Sequence, residues 1–273
     1  METLQWDILE KPVFVNDKEI ENYKAILRND NGNILNVAKK SYTPTPNSRF
    51  VEVTERLHEI TGFPIENYFE VDGGKKILAY LKCTESIEVC GHEFKDYLMI
   101  GNSHDGSTGF FMGNSNMMVR CKNRFAKSFR QLQVNHTKGS PEKIDELVEY
   151  FNKFMRFRRR MFADMESFEK IKIDKSIREA LVQRLTNMSL EEKLGTAELS
   201  SRKKNIIEKI NSSIDRECQD LGDNAFGLFN GITHYTTHFK PTKNKDIWAT
   251  PFGSVNDMNQ TAFNYCNDLV MCH

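Results

Sequence analysis

The chain has 273 residues, of which 39% are hydrophobic and 28% charged, enough to bury a substantial core and too apolar for wholesale disorder. Its 38 basic and 38 acidic side chains cancel, which excludes a histone-like polycation and an acidic tail protein but leaves room for a local basic face. No stretch approaches the length of apolar chain that spans a bilayer, and the first residues lack the basic and apolar regions of a signal peptide.

Strands open the chain. Pro12 to Val15, Asn22 to Arg28 and Ile34 to Ala38 carry apolar or alternating patterns, and the Asn-Gly of Asn31-Gly32 marks a hairpin between the last two. Asn47 or Ser48 is expected to cap a helix over 49–61, with Phe50, Val53, Leu57 and Ile60 at helical spacing and Gly62 as its stop. Further strands are expected at 68–71, 77–82, 86–89, 94–101, 108–112 and 117–121. From Lys122 the pattern changes. A helix is expected over 122–133, then a long one from Ser140-Pro141 to about Lys172. Others are expected near 175–187, at 189–194 with a Ser189/Glu192 capping box, at 200–221, at 224–238 and at 257–270. Strands followed by helices predict an α+β fold, with a strand-rich domain at 1–139 and a helical region at 140–273 packing on it.

The neutral total hides a partition. Residues 1–100 hold 12 basic and 17 acidic side chains, whereas 106–141 hold six basic ones and no acidic one. That run contains Arg120, Lys122, Arg124, Lys127 and Arg130, interleaved with Phe125 and Phe129. Basic side chains neutralise phosphates and release counterions, and flat rings stack on unpaired bases. Arg156 and Arg159, on the long helix, and Lys75 and Lys76, at a Gly73-Gly74 hairpin, extend the candidate set. Against this stands the ordinary alternative, in which the phenylalanines are core and the cations a solvated face.

Two other groups are chemically suggestive. His104 and Asp105 sit in the polar run Asn102 to Gly109, where they are candidates for acid/base work or cation binding, or else a turn that satisfies its own backbone. His234 and His238 fall four apart on one helical face, a metal-compatible spacing without a visible third ligand. The six cysteines form no CxxC pair and read as free thiols of a reducing cytoplasm, and no nucleotide-binding motif occurs, so no cofactor is expected.

The chain resembles the phage/plasmid-like protein family, a domain of unknown function numbered 932. The resemblance lies in Trp6-Asp7 through Tyr23 to Asp30, Lys40 to Asn47, Asn102 to Ser107, Val119 to Asn123, Asn230 to Tyr235, and Phe252 to Ser254 before Ala262-Phe263. It implies a mobile-element origin and supplies no accepted activity. The strand-rich front, basic-aromatic middle and helical back are also similar, at the level of fold analogy, to single-strand annealing proteins of phages. The expectation is therefore a homo-oligomeric, cytoplasmic protein that binds and anneals single-stranded DNA. The alternatives are a metal-dependent enzyme at His104/Asp105 and an interaction protein that blocks a host factor.

Overall fold

The structure, a computed structural model, describes residues 4–84, 86–240 and 252–272, with the side chains of Arg130, Pro141, Leu147 and Val148 outside that description. Among the described residues nine strands occupy the first half: β1 (Ile8–Val15), β2 (Lys18–Arg28), β3 (Ile34–Lys39), β4 (Ile65–Val71), β5 (Lys76–Lys82), β6 (Ile87–Val89), β7 (His92–Ser103), β8 (Phe110–Met118) and β9 (Arg124–Val134). The helix α1 (Asn47–Thr61) falls among them. The second half is helical: α2 (Ser140–Glu149), α3 (Phe151–Ser167), α4 (Lys175–Leu185), α5 (Leu190–Leu194), α6 (Ser201–Leu221), α7 (Ala225–His234) and α8 (Gly253–Met271). The class is α+β. β1, β2 and β3 form one antiparallel sheet. The other is ordered β4-β5-β7-β8-β9, with β6 paired to β7.

Two compact units interleave along the chain. The first comprises 1–86, 96–115 and 128–158, and the second 87–95, 116–127 and 159–273. In the first, α1 lays Phe50, Val53 and Leu57 at helical spacing against Leu81, Leu98, Ile100 and Phe110. Ile77 to Leu81 of β5 are all buried, as in a strand covered on both faces. Inside this unit Asp96 and Arg158 form a buried ion pair, and Asn114 Nδ2 donates to the same carboxylate. In the second unit every residue of α7 is buried, and Phe125, Phe168, Phe229 and Phe263 form a ring cluster. A Cβ at Gly231 would lie 2.5 Å from the Ile214 Cα, so the glycine is what lets α7 approach α6.

Several expectations are corrected. The two strands expected at 108–112 and 117–121 are the single β8, and the helix expected at 122–133 is β9. The i,i+4 spacing of Phe125 and Phe129 mimics a helix, but pairing with β8 overrides it. The long helix breaks at Tyr150 and ends in a 3-10 turn, Phe168–Lys170. α7 stops at His234 and passes into a π-helical turn, Tyr235–Phe239. Gly62 does close α1 in the left-handed region, and the Ser189/Glu192 capping box is present. Neither Asn47 nor Ser48 caps α1, however. The carboxylate of Asp7 does so from 40 residues away, accepting from the Asn47 N–H at 2.8 Å and the Ser48 N–H at 3.2 Å. Burial pushes that carboxyl up, but hydrogen bonds from Ser48, Ile8 and Asn47 together hold it below its ordinary range. No described helix is long and apolar enough to cross a membrane, and all six cysteines are free thiols.

Candidate functional site

In the second unit β8 and β9 are joined by a tight turn, Val119 to Asn123. Lys122 takes the left-handed conformation that closes it (φ 58°), and its N–H donates to Met118 O at 2.9 Å. The turn is fastened by polar side chains. Asn123 is buried and its Nδ2 donates to Asn230 O on α7 at 3.3 Å. His238 meets Cys121 O through Nε2 at 3.1 Å. The backbone N–H of Arg124 donates to Thr237 Oγ1 at 3.2 Å, and α8 meets Arg124 O and Ala126 O through Asn259 and Gln260.

This anchoring gathers charge. Arg120, Lys122 and Arg124 come from the turn and the start of β9, and Arg216 joins them from α6. His238 is pushed below its ordinary pKa by burial and by Arg216, Arg124 and Lys122, against the Cys121 hydrogen bond. His234, whose ring centroid lies 4.7 Å from that of His238, is lowered to about 4 by burial, by His238 and by Arg216. Two carboxylates answer these cations. Glu217 is buried, and desolvation together with Asp220 raises it despite Asn123, Arg216 and Arg120. Asp220 pairs with Arg120 at 3.1 Å, with both side chains about half exposed, a pair of small net worth that a phosphate can displace. Phe239 lies beside His234 at a centroid distance of 5.5 Å and is 49% exposed.

The expected basic-aromatic ridge is thus only partly assembled. Phe125 is a core ring, stacked on Phe263 and edge-on to Phe229. Phe129 is a core ring of the first unit, against Phe154 and Phe157. Neither is placed to stack on a base, because both supply the apolar area that fixes β9. Lys127 is drawn inward: its Nζ sits 3.9 Å over the Phe263 ring, and desolvation, with Arg160 nearby and Asp164 opposing, lowers it to about 8. The Arg130 side chain lies outside the described set. Arg156 and Arg159 are exposed on α3. Lys75 is exposed, whereas Lys76 pairs with Asp105 at 2.9 Å and with Asp72 at 3.6 Å. Sequence alone does not single out Arg216 or Phe239. Arg216 lies nearly a hundred residues from the turn in a helix of mixed charge, and Phe239 is a single aromatic ring at the end of the turn that follows α7.

His104 and Asp105 occupy a different setting, in the first unit. His104 has no exposed surface. Its Nε2 pairs with Asn47 Oδ1 at 2.8 Å, and since Asn47 Nδ2 donates to Trp6 O, the histidine is the donor. Its ring stands edge-on to Trp6. Burial, with His136 nearby and Asp7 and Asp105 opposing, lowers His104 to about 4. Asn102 Nδ2 donates to Thr45 O at 3.1 Å, Tyr42 OH to Ser103 O at 3.2 Å, and His136 Nδ1 meets Thr45 Oγ1 at 3.3 Å. Asp105 accepts from the Ser107 N–H at 2.9 Å, closing its own turn. The neutral histidine is sealed from solvent, the carboxylate beside it is held by Lys76, and the cluster pins three chain segments together, with His104 Nδ1, Asn102 Oδ1 and His136 Nε2 lacking a hydrogen-bond partner among the described residues. Among the described residues no group of three His, Cys, Asp or Glu side chains is placed to hold a metal, and His234 and His238 have no third ligand there.

Comparison with known families matches residues 34–256 to the domain of unknown function DUF932. The chain belongs to this family. No curated protein and no solved structure matches it. The stretches that carry the resemblance assemble into the two polar clusters just described. Tyr42 to Asn47 and Asn102 to Ser107 meet in the first unit, joined there by Trp6 and Asp7 from outside the matched range. Asn123 and Asn230 meet in the second.

Proposed function

We propose that this DUF932 protein binds single-stranded DNA through the β8–β9 turn of its second unit and serves strand annealing in mobile elements. Arg120, Lys122, Arg124 and Arg216 contact phosphates, and Phe239 offers the stacking surface that Phe125 and Phe129 do not. One observation carries the reading: Lys122, Arg124 and Arg216, from two distant chain segments, oppose the protonation of His238, Arg216 does the same at His234, and Arg120 and Arg216 stand beside Glu217, which is pushed toward its uncharged form. Such a concentration of positive potential is costly in the free protein and is relieved by a polyanion. Aromatic stacking adds about 1–3 kcal/mol per base without demanding a sequence.

The test is oligonucleotide binding by fluorescence anisotropy across a salt series. Four phosphate contacts on a single strand predict a slope of log K against log salt of about −3. Arg216→Glu lowers affinity on every sequence and flattens the slope, and Phe239→Ala weakens single strands more than duplexes. A flat salt profile, or an Arg216→Glu variant that binds as the parent does, refutes the proposal.

A further inference from the structure

The three-stranded sheet of the first unit has one face that buries Ile26 but exposes Val15 and Ile20 toward the β1–β2 hairpin, and another richer in exposed apolar side chains. In an antiparallel ladder, paired residues lie on the same face and alternate residues on opposite faces. Leu9 pairs with Leu27 and Leu27 with Ile34, while Lys11 pairs with Ala25 and Ala25 with Val37. Tyr23 pairs with Lys39 and, past a bulge in β1, Phe14 with Glu19. Stepping by two along β2 puts all these rows, with Glu21, on one face. The opposite face carries Ile26, which is wholly buried. On the outer face Leu9, Phe14, Tyr23, Ile34 and Val37 are between 38% and 60% exposed. Single exposed apolar side chains are ordinary, but five on one registered sheet face are not.

The charges on this face are ordered along the strands. Lys11 and Lys39 flank the rows of Ala25 and Tyr23, and Glu21 and Glu19 follow toward the β1–β2 hairpin. Glu19 reaches Lys40 at 3.3 Å, with both side chains still about half exposed. The face therefore holds two lysines and two glutamates, segregated lengthwise, with apolar rows among them. A surface of this kind is complementary to itself: a two-fold operation that reverses strand direction sets the lysine rows of one copy against the glutamate rows of the other and closes Val37, Tyr23 and Phe14 between them, with the Leu9–Leu27–Ile34 row at the rim. At ordinary strand spacing and rise the face measures roughly 15 Å by 35 Å, which puts its buried area at the low end of specific interfaces.

We infer that the outer face of β1–β2–β3 is a self-association surface whose occupant is the same face of a second copy of this chain. The contact is weak enough to depend on protein concentration and sensitive to charge order. It does not depend on the DNA-binding reading, which concerns the other unit.

The test is sedimentation velocity on nuclease-treated full-length protein, from low micromolar to hundreds of micromolar. The expected result is a reversible rise from monomer toward dimer. Ile34→Asp with Val37→Asp, both exposed positions, abolishes the rise while circular dichroism stays that of the parent. Lys11→Glu with Lys39→Glu also yields monomer, as does Glu19→Lys with Glu21→Lys. Mixing these two charge-reversed proteins restores a dimer, because each then presents what the other lacks. A parent protein that is monomeric at every concentration overturns the inference. So does a dimer indifferent to these substitutions, or a mixture of the reversed variants that stays monomeric.

Discussion

The buried histidine of the first unit sets a measurable acid sensitivity. His104 titrates near 6.5 in an unfolded chain and at about 4 in the fold, where burial and the neighbouring His136 disfavour its charged form. Its folded pKa is depressed, so between these two values the unfolded chain binds more protons and stability falls as pH falls. Each tenfold loss of proton affinity on folding corresponds to about 1.4 kcal/mol, so the full effect is about 3 kcal/mol, and about 2.5 kcal/mol of it is lost by pH ~4.5. Carboxylates also titrate in this range, so the comparison must be differential. His104→Gln keeps an N–H donor for Asn47 Oδ1 and removes the titration. Urea unfolding of parent and variant at about pH 7.5 and about pH 4.5 gives two stability differences, and the parent's advantage should shrink by about 2.5 kcal/mol at the lower pH. A difference that does not change with pH would show that His104 is not held neutral, and with it the reading of this cluster as a sealed structural hub would fall.

Three further outcomes are expected. Asp96→Ala strands the buried Arg158 guanidinium and should cost about 3–5 kcal/mol in a urea titration, whereas a loss under about 1 kcal/mol would mean that the pair is open to water. Gly231→Ala forces α7 away from the Ile214 backbone and should lower stability by about 1–3 kcal/mol, visible as a reduced thermal midpoint; an unchanged midpoint would contradict the close helix approach. Oligonucleotide affinity should rise as pH drops from about 7.5 toward about 5 at fixed salt, because a bound phosphate offsets the cations that hold His238 and His234 down, so binding takes up protons; an affinity that falls with acid would contradict it.

The fold class was legible because each half has its own period. Alternation in Asn22 to Arg28 and the Asn-Gly turn announced a hairpin, and Ser189 with Glu192 announced a helix start, since both signals are complete within a few residues. What failed needed partners far away. β9 imitates a helix because its two phenylalanines face different cores, one in each unit, and only pairing with β8 makes it a strand. Asp7 as the cap of α1 crosses 40 residues, a distance no local rule spans. The interleaving of the two units follows from strands that contribute to both, which a linear reading cannot display.

The same separation explains the candidate site. A run of six cations without an acidic neighbour is a statement about sequence, and potential depends on where side chains end up. Lys127 is spent on the Phe263 ring, and Phe125 and Phe129 are spent on packing, so the run loses its stacking elements and part of its charge. It regains charge from Arg216, which stands on α6 next to Asp215, Glu217 and Asp220. One of those carboxylates, Glu217, is buried behind Asn123, and desolvation raises its pKa. In the first unit burial acts oppositely, keeping His104 uncharged while its Nδ1, Asn102 Oδ1 and His136 Nε2 have no hydrogen-bond partner among the described residues. Desolvation thus disfavours the charged form of a histidine in the first cluster and of two histidines and a carboxylate in the second. In the second, Arg120 and Arg216 stand beside a carboxylate whose charged form burial disfavours, which is the feature the proposed phosphate contacts rest on.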